Sequence, residues 1–169
     1  MLRQVLKMGV PSLLQPSQKI LAAEFNTPEL LALIEDLVDT QKHYGGVGIA
    51  APQIGINKQL VIIEYYQADI SRYNDIGDCP RLVMINPQLT PLGTDNTTYN
   101  EGCLSLPGLR GEVSRPEKIA YQYYDPQGVF HSGETAGFLA RVMQHEYDHL
   151  VGILYPMRMN DISKLAFIN

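Results

Sequence analysis

The sequence contains no tryptophan and only two cysteines, Cys79 and Cys103, among its 169 residues. Two thiols are too few for the disulfide framework that stabilises small secreted domains, so we expect a reducing compartment. In such a compartment a lone thiol usually packs in the core, whereas a thiol that accompanies paired histidines is a candidate ligand or nucleophile. We expect Cys79, in Gly77-Asp78-Cys79-Pro80, to be a free structural cysteine, and Cys103 to carry chemistry.

Long apolar runs and basic clusters are missing as well. The first residues, Met1-Leu2-Arg3-Gln4-Val5-Leu6-Lys7, are interrupted by charge and then by Pro11, so we predict no signal peptide or membrane span and a cytoplasmic location. The formal net charge of −5 and the pI near 5.3 argue against a broad surface for nucleic acid or anionic lipid. Without repeats or linkers, residues 1–169 suit one compact domain, and a monomer is favoured.

An amphipathic helix is predicted from Thr27 to about Tyr44. Thr27 can cap its start, Pro28 suits the first helical position, and Gly45-Gly46 can end it. The helical spacing of its apolar residues predicts an N-terminal helix that packs on the core rather than one that carries a site; these residues are Leu30, Leu31, Ile34, Leu37 and Val38.

The middle of the sequence changes to the patterns that are typical of strands. Short apolar or alternating runs, bounded by Pro, Gly, Asn and Asp, predict strands at residues 60–63, 82–85 and 119–124. The turn sequence Asp125-Pro126-Gln127-Gly128 predicts a hairpin that continues through residues 129–131. We interpret residues 65–80 as a polar loop without a chemical motif.

A second helix is predicted from about Glu134 to Val151, ending at Gly152. Steps of four, three and four residues form its apolar stripe, which comprises Phe138, Val142, His145 and His149. The two histidines therefore face inward, where a bound cation would be sheltered from solvent. Phe138 and Val142 are candidates for an apolar pocket wall beside that cation, although the same residue types also build ordinary core.

The sequence His145-Glu146-Tyr147-Asp148-His149 places two imidazoles one turn apart, where both can bind one cation. Glu146 then lies beside the metal and can take a proton from a bound water, whose pKa the metal lowers toward neutrality. Cys103 is a candidate third ligand, which leaves one position for water, as in catalytic zinc sites. The other histidines, His43 and His131, lack such spacing, and we expect them to be structural or exposed.

Two further classes of function fit the histidine pair. A zinc endopeptidase shares the pair and the glutamate but usually takes a third histidine or glutamate ligand downstream, and only Asp161 follows His149 here. A metal-binding domain without catalysis would need neither Glu146 nor Gln53. Ligand type alone would permit zinc, iron, cobalt or nickel.

Three sequence segments, in this order, resemble the three motifs of peptide deformylases. They are Gly46-Val47-Gly48-Ile49-Ala50-Ala51-Pro52-Gln53, Glu101-Gly102-Cys103-Leu104-Ser105 and Gln144-His145-Glu146-Tyr147-Asp148-His149. The resemblance extends through Asn86-Pro87, Leu106-Pro107, Arg115-Pro116 and Gly137-Phe138-Leu139-Ala140-Arg141, which together span most of the chain. It implies a metal-dependent hydrolase that removes the formyl group from the N-terminal formyl-methionine of nascent polypeptides and releases formate. It also implies an α+β fold, with antiparallel and mixed strands around the C-terminal catalytic helix.

The resemblance assigns roles to individual positions. Cys103, His145 and His149 would be the three metal ligands, and Glu146 would be general base and then general acid in the attack of metal-bound hydroxide. The side-chain amide of Gln53 and the backbone N–H of Leu104 would donate to the oxyanion.

The resemblance also implies how the substrate binds. An extended peptide would pair with the segments at Val47 and Gly102, and Arg110 would meet the peptide further along. The methionine side chain would lie near Val47, Phe138 and Val142. The glycines at 46, 48 and 102 would permit close approach of the backbone or a positive φ.

The same resemblance implies residues that support the metal ligands, the metal ion itself and the partners of the protein. Glu101 and Arg115 would form an ion pair that fixes the cysteine strand. One divalent ion is implied, Fe(II) in the cell, with zinc, nickel or cobalt able to replace it in purified protein. The nascent-chain substrate implies transient contact with the ribosome. Many bacterial relatives use a basic C-terminal helix there, and this sequence, which ends at Asn169, is not expected to dock in that way.

Overall fold

The structure is a computed structural model that describes residues 1–70 and 74–168. Two α-helices and one antiparallel sheet form the α+β fold that the sequence predicts. The helices are α1 (Pro28–Tyr44) and α2 (Gly137–Leu150). The strands are β1 (Gly48–Ala50), β2 (Leu60–Tyr65), β3 (Cys79–Cys103), β4 (Leu106–Tyr124), β5 (Phe130–Ala136) and β6 (Ala166–Phe167). Short 3-10 helices cover Pro11–Leu14, Ala22–Glu24, Ala51–Ile54, Gln67–Asp69, Tyr155–Arg158 and Ile162–Lys164.

The strands follow one another in the sheet in the order β1-β2-β3-β4-β5, and β6 pairs with β4. All of these pairings are antiparallel, and the one parallel contact in the described residues is an isolated bridge between Gln18 and Lys58. The predicted strands lie inside β2, β3 and β4, but β3 and β4 are much longer than predicted. Their polar halves pair with each other over a long hairpin, which local apolar spacing does not reveal.

Helix α1 has the bounds that the sequence predicts, for the predicted reasons. The Thr27 hydroxyl accepts a hydrogen bond from the Leu30 N–H at 3.3 Å, and Pro28 occupies the first turn. Gly45 ends the helix in the left-handed region at φ 67°.

Helix α2 begins at Gly137, so the predicted start at Glu134 is wrong. Residues 134–136 belong to β5 and pair with residues 118–120 of β4, because the neighbouring strand supplies backbone partners for them. The predicted end is correct to within one residue, since the helix ends at Leu150 and Gly152 has a φ of 76°.

The interpretation of residues 65–80 as one loop is wrong at both ends. Tyr65 is the last residue of β2 and pairs with Cys79, the first residue of β3. Residues 71–73 of the predicted loop lie outside the described part of the chain. The predicted turn at residues 125–128 is confirmed, because the Gly128 N–H donates to the Asp125 carbonyl at 2.9 Å and the chain returns as β5.

The sheet separates two apolar clusters, and alternate residues of β2 enter each of them. Leu60 and Ile62 pack with Leu37 of α1, whereas Val61 and Ile63 pack with Val142 of α2 and with neighbouring residues. The two helices therefore cover opposite faces of the sheet. Within the described residues, neither helix has the length and hydropathy that crossing a bilayer requires.

Candidate active site

The predicted metal ligands meet where β3 ends against α2. Cys103 is the last residue of β3, and His145 and His149 lie one turn apart on α2. One ligand atom from each of the three lies within 4.8 Å of the others, and Cys103 Sγ is 3.3 Å from His149 Nε2. This is the one such cluster found among the described residues. A thiolate and two imidazoles suit one zinc or iron ion and leave a coordination position open.

A buried carboxylate orients the His145 ring. Glu101 Oε1 is 2.8 Å from His145 Nδ1, which leaves Nε2 for the thiol side of the ring. Glu101 also accepts two hydrogen bonds from Arg115, at 2.6 and 2.9 Å, so the expected ion pair is present and fully buried. Arg115 in turn donates to Asp148 at 2.8 Å. The hydrogen bonds from His145 and Arg115 outweigh burial and hold the pKa of Glu101 well below its usual range.

The charges in the cluster favour the thiolate. Burial alone would raise the pKa of the Cys103 thiol, but the charge of His149 and hydrogen bonds from both histidines hold that pKa well below its usual value. Burial would lower the pKa of His145, but its contacts with Cys103 and Glu101 raise it well above its usual value. The sulfur is therefore in the form that binds metals.

Glu146 lies beside this cluster and is almost inaccessible, with 4% of its surface exposed. Its Oε2 atom has no hydrogen-bond partner within the described residues. Burial raises the pKa of Glu146 to about 7, although the charges of His145 and His149 oppose the shift. The carboxylate lies so close to Gly48 of β1 that a Cβ atom at that position would be 2.6 Å from Oε1.

Gln53 reaches the cysteine from the 3-10 helix that follows β1. Its Oε1 accepts a hydrogen bond from the Ala50 N–H at 2.8 Å, which turns its amide nitrogen toward Cys103 Sγ at 3.5 Å and Ser105 Oγ at 3.2 Å. Leu104 lines the same cavity directly after the cysteine. The Gln53 amide therefore borders the Cys103 sulfur, which also accepts a hydrogen bond from the Ser105 N–H at 3.4 Å.

A cavity of about 310 Å³ opens at this cluster. Cys103, His145 and Glu146 line it together with all of the predicted substrate-binding residues, which are Val47, Gly48, Gly102, Arg110, Phe138 and Val142. His149 and Arg115 lie behind the lining and are buried. The sequence did not assign several further lining residues to the site, among them Tyr44, Tyr99, Arg141 and Ile168. Two signals in the sequence pointed to Arg141: it is a charge on the buried face of α2, one turn before His145, and it ends the segment Gly137-Phe138-Leu139-Ala140-Arg141 that shares the family resemblance.

The glycines at the site permit close approach rather than unusual backbone angles. None of Gly46, Gly48 and Gly102 has a positive φ. A Cβ atom at Gly102 would overlap the Arg110 guanidinium, and one at Gly46 would be 2.9 Å from the Leu104 side chain. The remaining candidates lie elsewhere, as predicted: His43 is exposed, and Cys79 is a free, buried cysteine. His131 is exposed in the hairpin and lies 2.8 Å from Asp125.

Comparisons with known proteins agree over nearly the whole chain. The family model described as polypeptide deformylase matches residues 2–165. Peptide deformylase 1 of Nitrosomonas europaea is 48% identical over 167 residues, which are 99% of this chain and 93% of that protein. Peptide deformylase 1 of Bordetella pertussis is 47% identical with the same coverage. The Met-Ala-Ser-bound crystal structure of class I type b peptide deformylase from Acinetobacter baumannii superposes with a TM-score of 0.89 at 35% identity, covering 94% of this chain and 99% of that one. The actinonin complex of a deformylase from Synechococcus elongatus superposes with a TM-score of 0.80 at 35% identity, covering 95% and 80%.

Proposed function

The chain belongs to the polypeptide deformylase family, metal-dependent enzymes that remove N-terminal formyl groups, and on this premise we propose that the cavity at Cys103 is its active site. The observation that carries the proposal is the meeting of three ligand atoms within 4.8 Å at the wall of a cavity that Glu146 also lines. Asp161, the only acidic residue after His149, caps a 3-10 helix through its contact with Ser163 and lies outside the ligand cluster. The described residues therefore do not provide the downstream third ligand that a zinc endopeptidase would use.

We propose that Cys103, His145 and His149 hold one divalent metal ion. When bound, such an ion would act as a Lewis acid that acidifies a water molecule and polarises the formyl carbonyl. The orientation of His145 by Glu101, and of Glu101 by Arg115, supports this ligand set. We propose Fe(II) as the ion in the cell and zinc, nickel or cobalt as substitutes in purified protein, since the donor set accepts all of them.

Glu146 is the proposed general base and acid. It would accept a proton from the attacking water and deliver it to the departing amine. Its burial and its unpartnered Oε2 support this role, since no side chain in the described part of the chain forms a hydrogen bond with that oxygen. A carboxylate that is free to accept and release a proton is what two successive proton transfers require.

Gln53 and Leu104 are the proposed oxyanion donors. The Ala50 N–H fixes the Gln53 amide with its nitrogen toward the ligand sulfur, so this donor is oriented before the substrate arrives. Leu104 follows the proposed ligand Cys103 directly and lines the same cavity, so its N–H is the proposed second donor. A carbonyl oxygen bound between these donors would gain most when it becomes an oxyanion.

The proposed substrate is the N-terminus of an extended formyl-methionyl peptide. Its backbone would pair along Val47-Gly48 and Gly102, its methionine side chain would lie among Val47, Phe138 and Val142, and Arg110 would contact later residues. The related Acinetobacter baumannii deformylase binds Met-Ala-Ser, which supports a peptide of this kind.

We also infer that residues 1–169 act as one catalytic domain, in a cytoplasmic monomer that meets nascent chains transiently at the ribosome. Both helices pack against the same sheet, one on each face, which supports a single domain. The substrate supports the location, because bacterial chains are synthesised in the cytoplasm. The net charge of −5 supports an enzyme without direct nucleic-acid specificity.

The test is formate release from formyl-Met-Ala-Ser by protein that is reconstituted anaerobically with Fe(II). We expect Glu146→Ala to retain one metal ion per chain and to lose activity by about 10²–10⁴-fold, because the proton transfers lose their carrier. Glu134→Ala removes an exposed carboxylate that pairs only with Lys118 among the ion pairs described, and it should retain full activity. Absence of formate from the metal-loaded wild type would overturn the activity, whereas an active Glu146→Ala would overturn only the role of Glu146.

A further inference from the structure

Arg141 is a buried charge on the face of α2 that bears the metal ligands. It precedes His145 by one helical turn, and only 8% of its side chain is exposed. Its Nη1 atom donates to Glu101 Oε2 at 2.7 Å and to the Val113 carbonyl at 3.0 Å. Its Nη2 atom donates to the Thr97 carbonyl at 2.7 Å and to Thr97 Oγ1 at 3.3 Å.

These contacts run along one face of β3. Side chains at alternate positions of a strand point to the same side, so Thr97, Tyr99 and Glu101 face α2 together. Arg141 binds Thr97 and Glu101 through hydrogen bonds, and its Cζ atom lies 5.5 Å from the centre of the Tyr99 ring. Val113, whose carbonyl accepts a hydrogen bond from Arg141, is the register partner of Tyr99 on β4.

The hydrogen bonds of Arg141 join the two elements that carry the proposed metal ligands. Strand β3 ends in Cys103, two residues after Glu101, and α2 carries both proposed histidine ligands. Glu101 is also held by Arg115 of β4, which is the register partner of Thr97, but the hydrogen bonds described for the Arg115 side chain go to Glu101 and Asp148. His145 also joins α2 to β3 through Glu101, but Arg141 is the α2 side chain whose described hydrogen bonds extend along β3 to Thr97, and the rigid fork of its guanidinium suits several acceptors at once.

We propose that Arg141 is a positioning residue for deformylation. It sets the separation between Cys103 and the two histidines, and it holds Tyr99 in place as a wall of the substrate cavity, which both residues line. The inference rests on the ligand set proposed above. It requires that loss of Arg141 weakens metal binding and substrate binding together, although none of the hydrogen bonds described for the Arg141 side chain goes to Cys103, His145 or His149.

The test compares Arg141→Met and Arg141→Lys with Arg81→Met. Arg81 is also on β3 and pairs with Glu64 and Glu35, but it does not line the cavity. Each protein is titrated with Co(II) in competition with a chelator, and the thiolate-to-cobalt and d–d absorption bands are recorded. KM and kcat for formyl-Met-Ala-Ser are measured on the same Co(II) samples, and circular dichroism checks folding.

We expect Arg141→Met to lower Co(II) affinity about 10- to 100-fold, to shift the absorption bands and to raise KM. Arg141→Lys keeps a charge beside Glu101 but lacks the fork that also reaches Thr97. It should therefore regain much of the metal affinity while KM stays raised. Arg81→Met should match the wild type in all three measurements.

A purely structural role would lower resistance to urea while leaving the cobalt spectrum, Co(II) affinity and KM unchanged, and that result would overturn the proposal. If Arg141→Met does not fold, the Arg141→Lys variant decides. A KM and a cobalt spectrum equal to those of the wild type would overturn the proposal, whereas a raised KM would support it. A wild-type protein without a thiolate-to-cobalt band would overturn the ligand set itself, so the two failures are distinguishable.

Discussion

Gly48 and Glu146 meet between β1 and α2, and their contact depends on the missing side chain at position 48. A methyl group there would lie 2.6 Å from Glu146 Oε1 and 2.9 Å from its Cδ and Cγ atoms. Atoms this close must move apart. Because the φ of Gly48 is not positive, the backbone itself would accept alanine, and the whole effect would fall on the carboxylate.

Gly48→Ala should therefore lower kcat for formyl-Met-Ala-Ser by about a hundredfold while metal content stays at that of the wild type, since about 1 Å of displacement can cost that much. Ile49→Val on the same strand is the control. This change removes one methylene group from the core between the sheet and α1. It should lower the free energy of unfolding by about 1 kcal/mol and leave kcat unchanged. An unchanged kcat in Gly48→Ala would mean that Glu146 works equally well from a displaced position.

At the scale of elements, local signals define helix α1 and a neighbouring strand defines the start of α2. Helix α1 has a cap hydrogen bond from Leu30 N–H to Thr27 and a left-handed glycine at its end, both within a few residues of the helix itself. Helix α2 has no side-chain cap at its N-terminus. It starts where the pairing of β5 with β4 stops, after the pair Lys118 and Ala136.

Thr27→Ala should lower the free energy of unfolding by about 1 kcal/mol, because the Leu30 N–H loses its acceptor. Thr27→Ser keeps the hydroxyl and should recover most of that loss. Urea unfolding of the two variants and the wild type measures the difference, with deformylase activity unchanged at low temperature because α1 lies across the sheet from Glu146. Equal losses in both variants would attribute the effect to the methyl group rather than to the cap.

At the scale of the whole molecule, the cluster between the sheet and α2 has two buried titratable members, Cys79 and Tyr65, whose neutral forms are favoured by burial. Burial, with a smaller contribution from Glu64, raises the pKa of the Cys79 thiol from 9.0 to about 11. Burial also raises the pKa of the Tyr65 phenol. Both residues pack with Ile63 and Met84, where a charge would lack partners.

The free energy of unfolding should therefore fall as the pH rises from 9 to 11, since the unfolded chain loses the Cys79 proton first. The contribution of Cys79 is fully present below pH 9 and is lost as the pH passes about 11, on the order of 2–3 kcal/mol. Urea midpoints across this range should fall less steeply for Cys79→Ala than for the wild type. Parallel curves would show that Cys79 ionises with the same pKa in both states.

The sequence by itself determined the features that depend on neighbours within about one helical turn. The cap at Thr27, the turn at residues 125–128 and the common face of His145 and His149 all belong to this class, because side chains three or four residues apart meet in any helix or turn. Residue type made Cys103 a candidate third ligand and the motif resemblance assigned it that role, although no local spacing connects it to the histidines.

Only the tertiary structure decided the contacts that join distant parts of the chain. Gln53 reaches Cys103 across 50 residues, and Arg141 reaches Thr97 across 44. Both contacts, like the length of β3 and the start of α2, depend on the register between strands. A shift of one residue in that register would turn Thr97, Tyr99 and Glu101 away from α2, and the register is specified by which face of the assembled sheet is buried, so the tertiary structure decides it.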